Sequence, residues 1–248
     1  MQSSNPVLTR GRGFAAMNGT QTDPLEAAYS APSASAVSTG RMTIEDVVMR
    51  TATLFVVLVA VGSVAWGMNL GGGALLIGFG GGFVLALVNS FKRVVSPPLV
   101  VAYAAFQGLA LGSISRVFND VYPGIVSQAI IGTLCAFGGI LFAYRSGKIR
   151  VTPKFTRIMF GALIGYMAFG LVTLFTGFPG GSTGTLIAVA GVALATFFLV
   201  LDFDQIEKTI AMGAPREESW RMAFGLMVTI VWLYLEVLRL LSILRSND

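Results

Sequence analysis

The sequence predicts an all-α integral membrane protein, a bundle of seven transmembrane helices with the N-terminus cytoplasmic and the C-terminus exterior. Three observations carry that prediction. The first is composition: 54% of the 248 residues are hydrophobic and only 12% are charged, and the mean hydropathy is +0.76. A soluble domain carries about 25% charged residues to cover its surface, whereas lipid requires no charged cover. The second is a series of seven apolar runs of about 18 to 25 residues, each long enough to cross a hydrocarbon core of roughly 30 Å at 1.5 Å per residue. The third is the placement of Lys and Arg on alternate sides of those runs.

Residues 1–40 are rich in Ser, Thr, Ala, Gly, Asn and Pro and poor in large aliphatics. Such a segment cannot bury enough apolar surface to offset chain entropy, so 1–40 is expected to be a disordered cytoplasmic tail. No apolar stretch follows its basic residues Arg10 and Arg12, which argues against a secretory signal peptide. Order is expected from Thr43. There Thr43-Ile44-Glu45-Asp46 fits a capping box, in which hydroxyl and carboxylate satisfy the orphan amides of a helix start.

The apolar runs lie near 52–69, 72–91, 98–116, 124–144, 158–178, 184–206 and 221–244, and 42–248 is read as one membrane domain. The separators are short and full of turn formers: Asn69 to Gly73, Ser96-Pro97-Pro98, Asn119 to Gly124, and Pro179 to Gly184. Antiparallel, closely packed neighbours follow. Small residues spaced four apart, Gly78 and Gly82, Gly108 and Gly112, Gly161 and Gly165, offer faces on which helix backbones approach closely within the bundle.

On one side of the runs lie Arg10, Arg12, Arg41, Arg50, Lys92, Arg93, Arg145, Lys148, Arg150, Lys154, Arg157, Lys208, Arg216 and Arg221, and on the other only Arg116 and Arg245. Positive residues stay inside, so the tail is cytoplasmic, and an odd number of spans puts the C-terminus outside. The basic stretch 145–157 is also suited to anionic lipid head groups at the inner leaflet. Its first role is that of a topology determinant.

Several functions are excluded by what is missing. With no histidine and a single cysteine, Cys135, the chain has no Cys/His zinc site, no Ser-His-Asp or Cys-His nucleophile and no intrachain disulfide. Gly180-Gly181-Ser182-Thr183-Gly184 matches G-x-S-x-G, but no strand precedes it and no histidine base exists. The glycine clusters 71–73 and 80–82 lack the Lys-Ser/Thr of a phosphate loop. The net charge of +5 is scattered between apolar runs and forms no nucleic-acid stripe. No enzymatic activity, cofactor or nucleic-acid partner is expected.

Ionisable groups inside a membrane are costly and therefore informative. They are Asp202 near the cytoplasmic end of the sixth run, Asp204 just beyond it, and Glu236 and Arg239 in the seventh. Asp202 has two readings: an interfacial carboxylate neutralised by Lys92 or Arg93, or a water-accessible group on an ion path. Glu236 also has two: an intrahelical pair with Arg239 at i+3, or a station on a water-filled path. The helical rise puts Asp202 and Glu236 about 16 Å apart along the bundle, too far for a shared proton. They would be successive stations on one cation path.

The residues Leu201-Asp202-Phe203-Asp204-Gln205-Ile206-Glu207, Gly213-Ala214-Pro215, Trp220 and Trp232-Leu233-Tyr234-Leu235-Glu236-Val237-Leu238-Arg239-Leu240-Leu241, with Ser96-Pro97, Tyr103-Ala104, Gly108 and Leu111 to Ser115, resemble the Bax inhibitor-1 family, in its bacterial branch. The resemblance implies a seven-helix bundle with the last helix near the centre, in a bacterial cytoplasmic membrane. It also implies a pH-sensitive cation leak for Ca²⁺ or H⁺, controlled by two hydrogen-bonded aspartates on the sixth and seventh spans. Asp202 fits the first aspartate. A gapless match through Ala223 and Arg239 puts Thr229 at the second, with Glu236 two turns further along the same face. Gln107 stands where relatives often carry glutamate, which removes one possible cation ligand and leaves Asp202 and Glu236 as weak, transient Ca²⁺ ligands. The alternative reading is a non-transporting regulator that binds a membrane protease or another membrane protein.

The charge asymmetry has a direct check. Alkaline phosphatase fused after Asp248 is expected to be active and a green fluorescent protein dark, because the former folds only outside and the latter only inside; the reverse pattern contradicts the assigned orientation.

Overall fold

The computed structural model describes residues 40–246, so the expected tail at 1–40 lies, apart from Gly40, outside the described residues. Seven long helices follow one another: α1 (Ile44–Gly67), α2 (Gly71–Phe91), α3 (Pro97–Val121), α4 (Ile125–Arg145), α5 (Pro153–Thr176), α6 (Gly181–Ala211) and α7 (Ser219–Ser246). A single 3-10 turn, Arg216–Glu218, precedes α7. All seven are long and apolar enough to cross a membrane, and no strand forms among the described residues.

Local chemistry explains the helix ends. Thr43 accepts from the Asp46 amide while the Asp46 carboxylate accepts from the Thr43 amide, which is the reciprocal cap expected at the start of α1. Thr152 caps α5 through the Phe155 amide, with Pro153 in the first turn where its missing N–H costs nothing. Gly124, at φ +82°, supplies the left-handed residue that turns α3 into α4.

Contacts between the ends assign the two faces of the bundle. At one face Arg216 pairs with Asp46 at 2.7 Å, Arg221 donates to the Arg93 carbonyl at 2.8 Å, and Tyr144 donates to Glu207 at 2.7 Å. This is the basic face. At the opposite face Arg116 reaches the Trp66 carbonyl at 3.3 Å, and Arg245 donates to the Pro123 carbonyl at 2.9 Å.

Helix α7 occupies the middle. One core cluster joins it to α4 and α6 through Leu199, Phe203, Leu226, Leu233 and Val237. A second joins it to α1 and α3 through Leu54, Leu58, Tyr103, Phe224 and Met227. Helices α2 and α5 stand outside, packed on α3 and α6 respectively. The central place of the last helix, which the resemblance implies, is therefore present.

The glycine faces divide. A Cβ on Gly112 would collide with the Gly62 carbonyl, and one on Gly108 would lie 2.5 Å from the Leu58 carbonyl, so α1 and α3 meet backbone to backbone. A Cβ on Gly78 would lie 2.6 Å from the Ala110 nitrogen, which joins α2 to α3 in the same way. Gly161 and Gly165, by contrast, meet nothing within 4 Å, and α5 contributes no buried residue. Leucine at Gly112 is expected to lower stability by roughly 1 to 3 kcal/mol, and leucine at Gly161 to change it by less than about 0.5 kcal/mol, as read by thermal unfolding in detergent.

Candidate functional site

The polar interior is organised on two levels of α6 and α7. Nearer the basic face, the half-buried Asp202 of α6 turns its carboxylate toward the Thr229 hydroxyl of α7. Thr229 also donates back to the Gly225 carbonyl at 3.3 Å, and Oδ2 of Asp202 has neither a hydrogen-bond partner nor access to solvent. The two positions that the resemblance pairs across the sixth and seventh spans are thus brought face to face. The second is a hydroxyl rather than a carboxylate, so no shared-proton dyad exists.

Among the described residues Asp202 is one of three side chains with a buried oxygen lacking a partner; the others are Thr51 of α1 and Gln107 of α3. Thr51, Gln107, Asp202 and Thr229 each lie seven to ten residues from the basic-face end of their helix, hence at about 10 to 15 Å depth. Buried polar atoms in native proteins are almost always partnered by protein or by water. The four do not form one cluster: the Gln107 amide lies against Gly82 of α2, whereas Asp202 faces Thr229 between α6 and α7.

Asp202 makes no ion pair among the described residues, which corrects the expectation that Lys92 or Arg93 neutralises it. Those two residues lie in the α2–α3 link, where their carbonyls accept from Arg221 of α7 at 3.3 Å and 2.8 Å. A link held by its backbone at the surface of the bundle does not carry its side chains to a carboxylate two turns deep. Asp204, on another face of α6, pairs with Lys208 one turn on, at 2.5 Å.

Glu236 is the centre of the second level and is 2% exposed. Its Oε2 accepts from the Tyr166 hydroxyl of α5 at 2.7 Å, and its Oε1 from the Trp232 indole one turn back at 3.0 Å. Arg239 Nη1 lies 3.3 Å from Oε2 and also donates to the Tyr166 hydroxyl at 3.0 Å. The guanidinium lies over the Phe178 ring at 5.1 Å, which holds the charge where it need not be fully hydrated. Both oxygens are occupied. A cleft of about 610 Å³ between α5 and α7 opens beside this group.

Gly191 of α6 makes that clamp possible. A Cβ there would strike the Tyr166 hydroxyl and lie 2.5 Å from Oε2 of Glu236. Gly191 therefore marks the height of Glu236 on α6, and the eleven residues from it to Asp202 span about 16 Å. The two carboxylates are separate sites, as the helical rise requires. Among the described residues no group of three or more His, Cys, Asp or Glu comes together to hold a metal ion.

Residue spacing on α7 already pairs Glu236 with Arg239, and it could equally have pointed to Trp232 at i−4. Tyr166, Phe178 and Gly191 leave no such signal, because they reach Glu236 across other helices.

A family description built on Bax inhibitor 1 like proteins matches residues 5–246. The chain belongs to the Bax inhibitor 1-like family. Among individually curated proteins none matches the chain. For this Bax inhibitor 1-like protein the family membership fixes a multi-pass membrane bundle, and the geometry above says which of its polar groups are occupied and which are open.

Alanine at Gly191 is expected to cost about 1 to 3 kcal/mol, because a backbone-flanked methyl must displace Glu236 or Tyr166. Trp232 fluorescence should shift at the same time as the indole loses its carboxylate. Alanine at Gly170, which meets nothing within 4 Å, should move neither the unfolding temperature nor the spectrum; equal behaviour of the two variants contradicts the clamp.

Proposed function

We propose that this protein is a pH-sensitive cation leak of the bacterial cytoplasmic membrane, passing Ca²⁺ or H⁺ along a path that includes Asp202 and Thr229. The observation that carries the reading is the unpartnered Oδ2 of Asp202, buried within a bundle of seven helices long and apolar enough to span a membrane. An anionic oxygen in that position attracts a proton or a cation, and protonation removes the attraction.

A single carboxylate with hydroxyl and carbonyl oxygens makes a weak site for Ca²⁺, which takes about six to eight oxygen ligands in a tight one. Weak binding suits conduction, since the ion must leave as well as enter. Glu236 has a different role in this reading. Its oxygens are held by Tyr166, Trp232 and Arg239, so it joins α5 to α7 and serves as a station for ions only if that clamp opens. Asp204, paired with Lys208, lies at the basic-face mouth.

Purified protein in liposomes should pass Ca²⁺ at rates that differ between about pH 6 and pH 8. The dependence is expected to vanish in Asp202→Asn and to persist in Tyr166→Phe. Wild-type rates equal to those of empty liposomes, with the protein folded, would sink the leak and favour the regulator that acts by binding a membrane protein.

A further inference from the structure

A second concavity lies on the other face of α7 from the cleft beside Glu236, against Ile230, Val231 and Tyr234. Its volume is about 430 Å³, and its walls include Val59 and Trp66 of α1, Leu111 of α3, Ile130 and Leu134 of α4 and Tyr234 of α7. The lining is almost wholly apolar. Its polar atoms are largely consumed internally, with Ser115 and Tyr234 hydroxyls joined at 2.6 Å and Thr133 donating to the Ala129 carbonyl at 2.8 Å. Val59, Ile130 and Leu134 are each about half or more exposed, so the groove opens sideways between α1 and α4.

Its dimensions are those of one leaflet. The α1 wall runs from Phe55 to Trp66, eleven residues or about 16 Å of rise, against roughly 15 Å for half of a 30 Å hydrocarbon core. At the upper end Trp66 sits in the last turn of α1, where an indole favours the membrane boundary. The Arg116 guanidinium lies 5.8 Å from the centre of that indole ring; its Nε pairs with Asp120 at 3.1 Å and its Nη1 donates to the Trp66 carbonyl, which leaves Nη2 as its open donor among the described residues. Arg245, anchored to the Pro123 carbonyl and to Gln128, stands at the end of the α4 wall. An apolar bore as deep as one leaflet, ending in an indole and cationic side chains, complements an acyl chain topped by a phosphate.

We propose that this groove is a phospholipid site: one acyl chain fills the space between α1 and α4 in the leaflet opposite the basic face, with its phosphate beside Arg116 and Trp66. The lipid closes a gap in the wall of the bundle that no side chain fills.

The test uses the full chain, delipidated in detergent and given back palmitoyl-oleoyl phosphatidylglycerol, with bound lipid counted by native mass spectrometry. One lipid per chain is expected for wild type and for Leu76→Trp, a lipid-facing position on α2 that is 75% exposed. Ile130→Trp and Val59→Trp, which fill the groove from its two sides, are expected to weaken the adduct at least about tenfold, or 1.4 kcal/mol. Two groove variants are included because either alone could fail to fold, as judged by thermal unfolding. Absence of the adduct in wild type overturns the site, as does an adduct of equal strength in the folded groove variants. A dimer that excludes lipid overturns it as well, and assigns the groove to a second copy of the chain.

Discussion

A polar group inside a hydrocarbon layer must find its partners within the protein, and helix α7 is where this chain both meets that demand and leaves it open. Glu236 meets it, with a tyrosine, an indole and a guanidinium around its carboxylate. About three turns nearer the basic face, Asp202 leaves one oxygen unmatched against α7. The contrast separates structure from function: a fully partnered carboxylate fixes helices, whereas a partly partnered one holds an affinity for water, protons or cations. Helix α7 belongs to both core clusters, so Glu236 and the Thr229 that faces Asp202 sit on the element that joins the two.

The link between α6 and α7 is held from outside those spans. Met42 donates to the Ala214 carbonyl at 2.9 Å, Asp46 pairs with Arg216, and Arg50 donates to the Arg216 carbonyl at 2.6 Å while lying over the Trp220 ring. Met42 and the first two turns of α1 therefore strap down the turn connecting the helices that carry Asp202 and Thr229. Met42 and Val47 extend the strap into the core beside Phe203 and Ile206. The carboxylate at Asp202 is thus framed by backbone bonds at the surface and by apolar packing below.

Much of this was legible in the sequence, because hydrocarbon thickness dictates run length and turn residues dictate the links. All seven helices overlap the apolar runs; α6 continues past its run through Glu207 and Lys208 to Ala211, whereas α1 and α5 end two residues short of theirs. Intrahelical partners were legible for the same reason of fixed periodicity, as Glu236 and Arg239 show. What crosses between helices was not. Nothing in the local sequence of Tyr166 or Gly191 announces a carboxylate on α7, and the charge of Lys92 and Arg93 gave no hint that their carbonyls, not their side chains, would be engaged. The glycine pairs illustrate the limit: one spacing describes both the tight seam of Gly108 and Gly112 and the unpacked Gly161 and Gly165.

The most direct measurement is carbodiimide labelling of the protein in membranes, followed by peptide mass spectrometry, since the reagent attacks carboxyl groups that protonate within reach of the membrane interior. Asp202 should be modified, and added Ca²⁺ should protect it, while Glu236 stays unmodified behind its three donors. Labelling of Glu236 with Asp202 untouched would reverse the roles assigned to the two carboxylates and contradict the account.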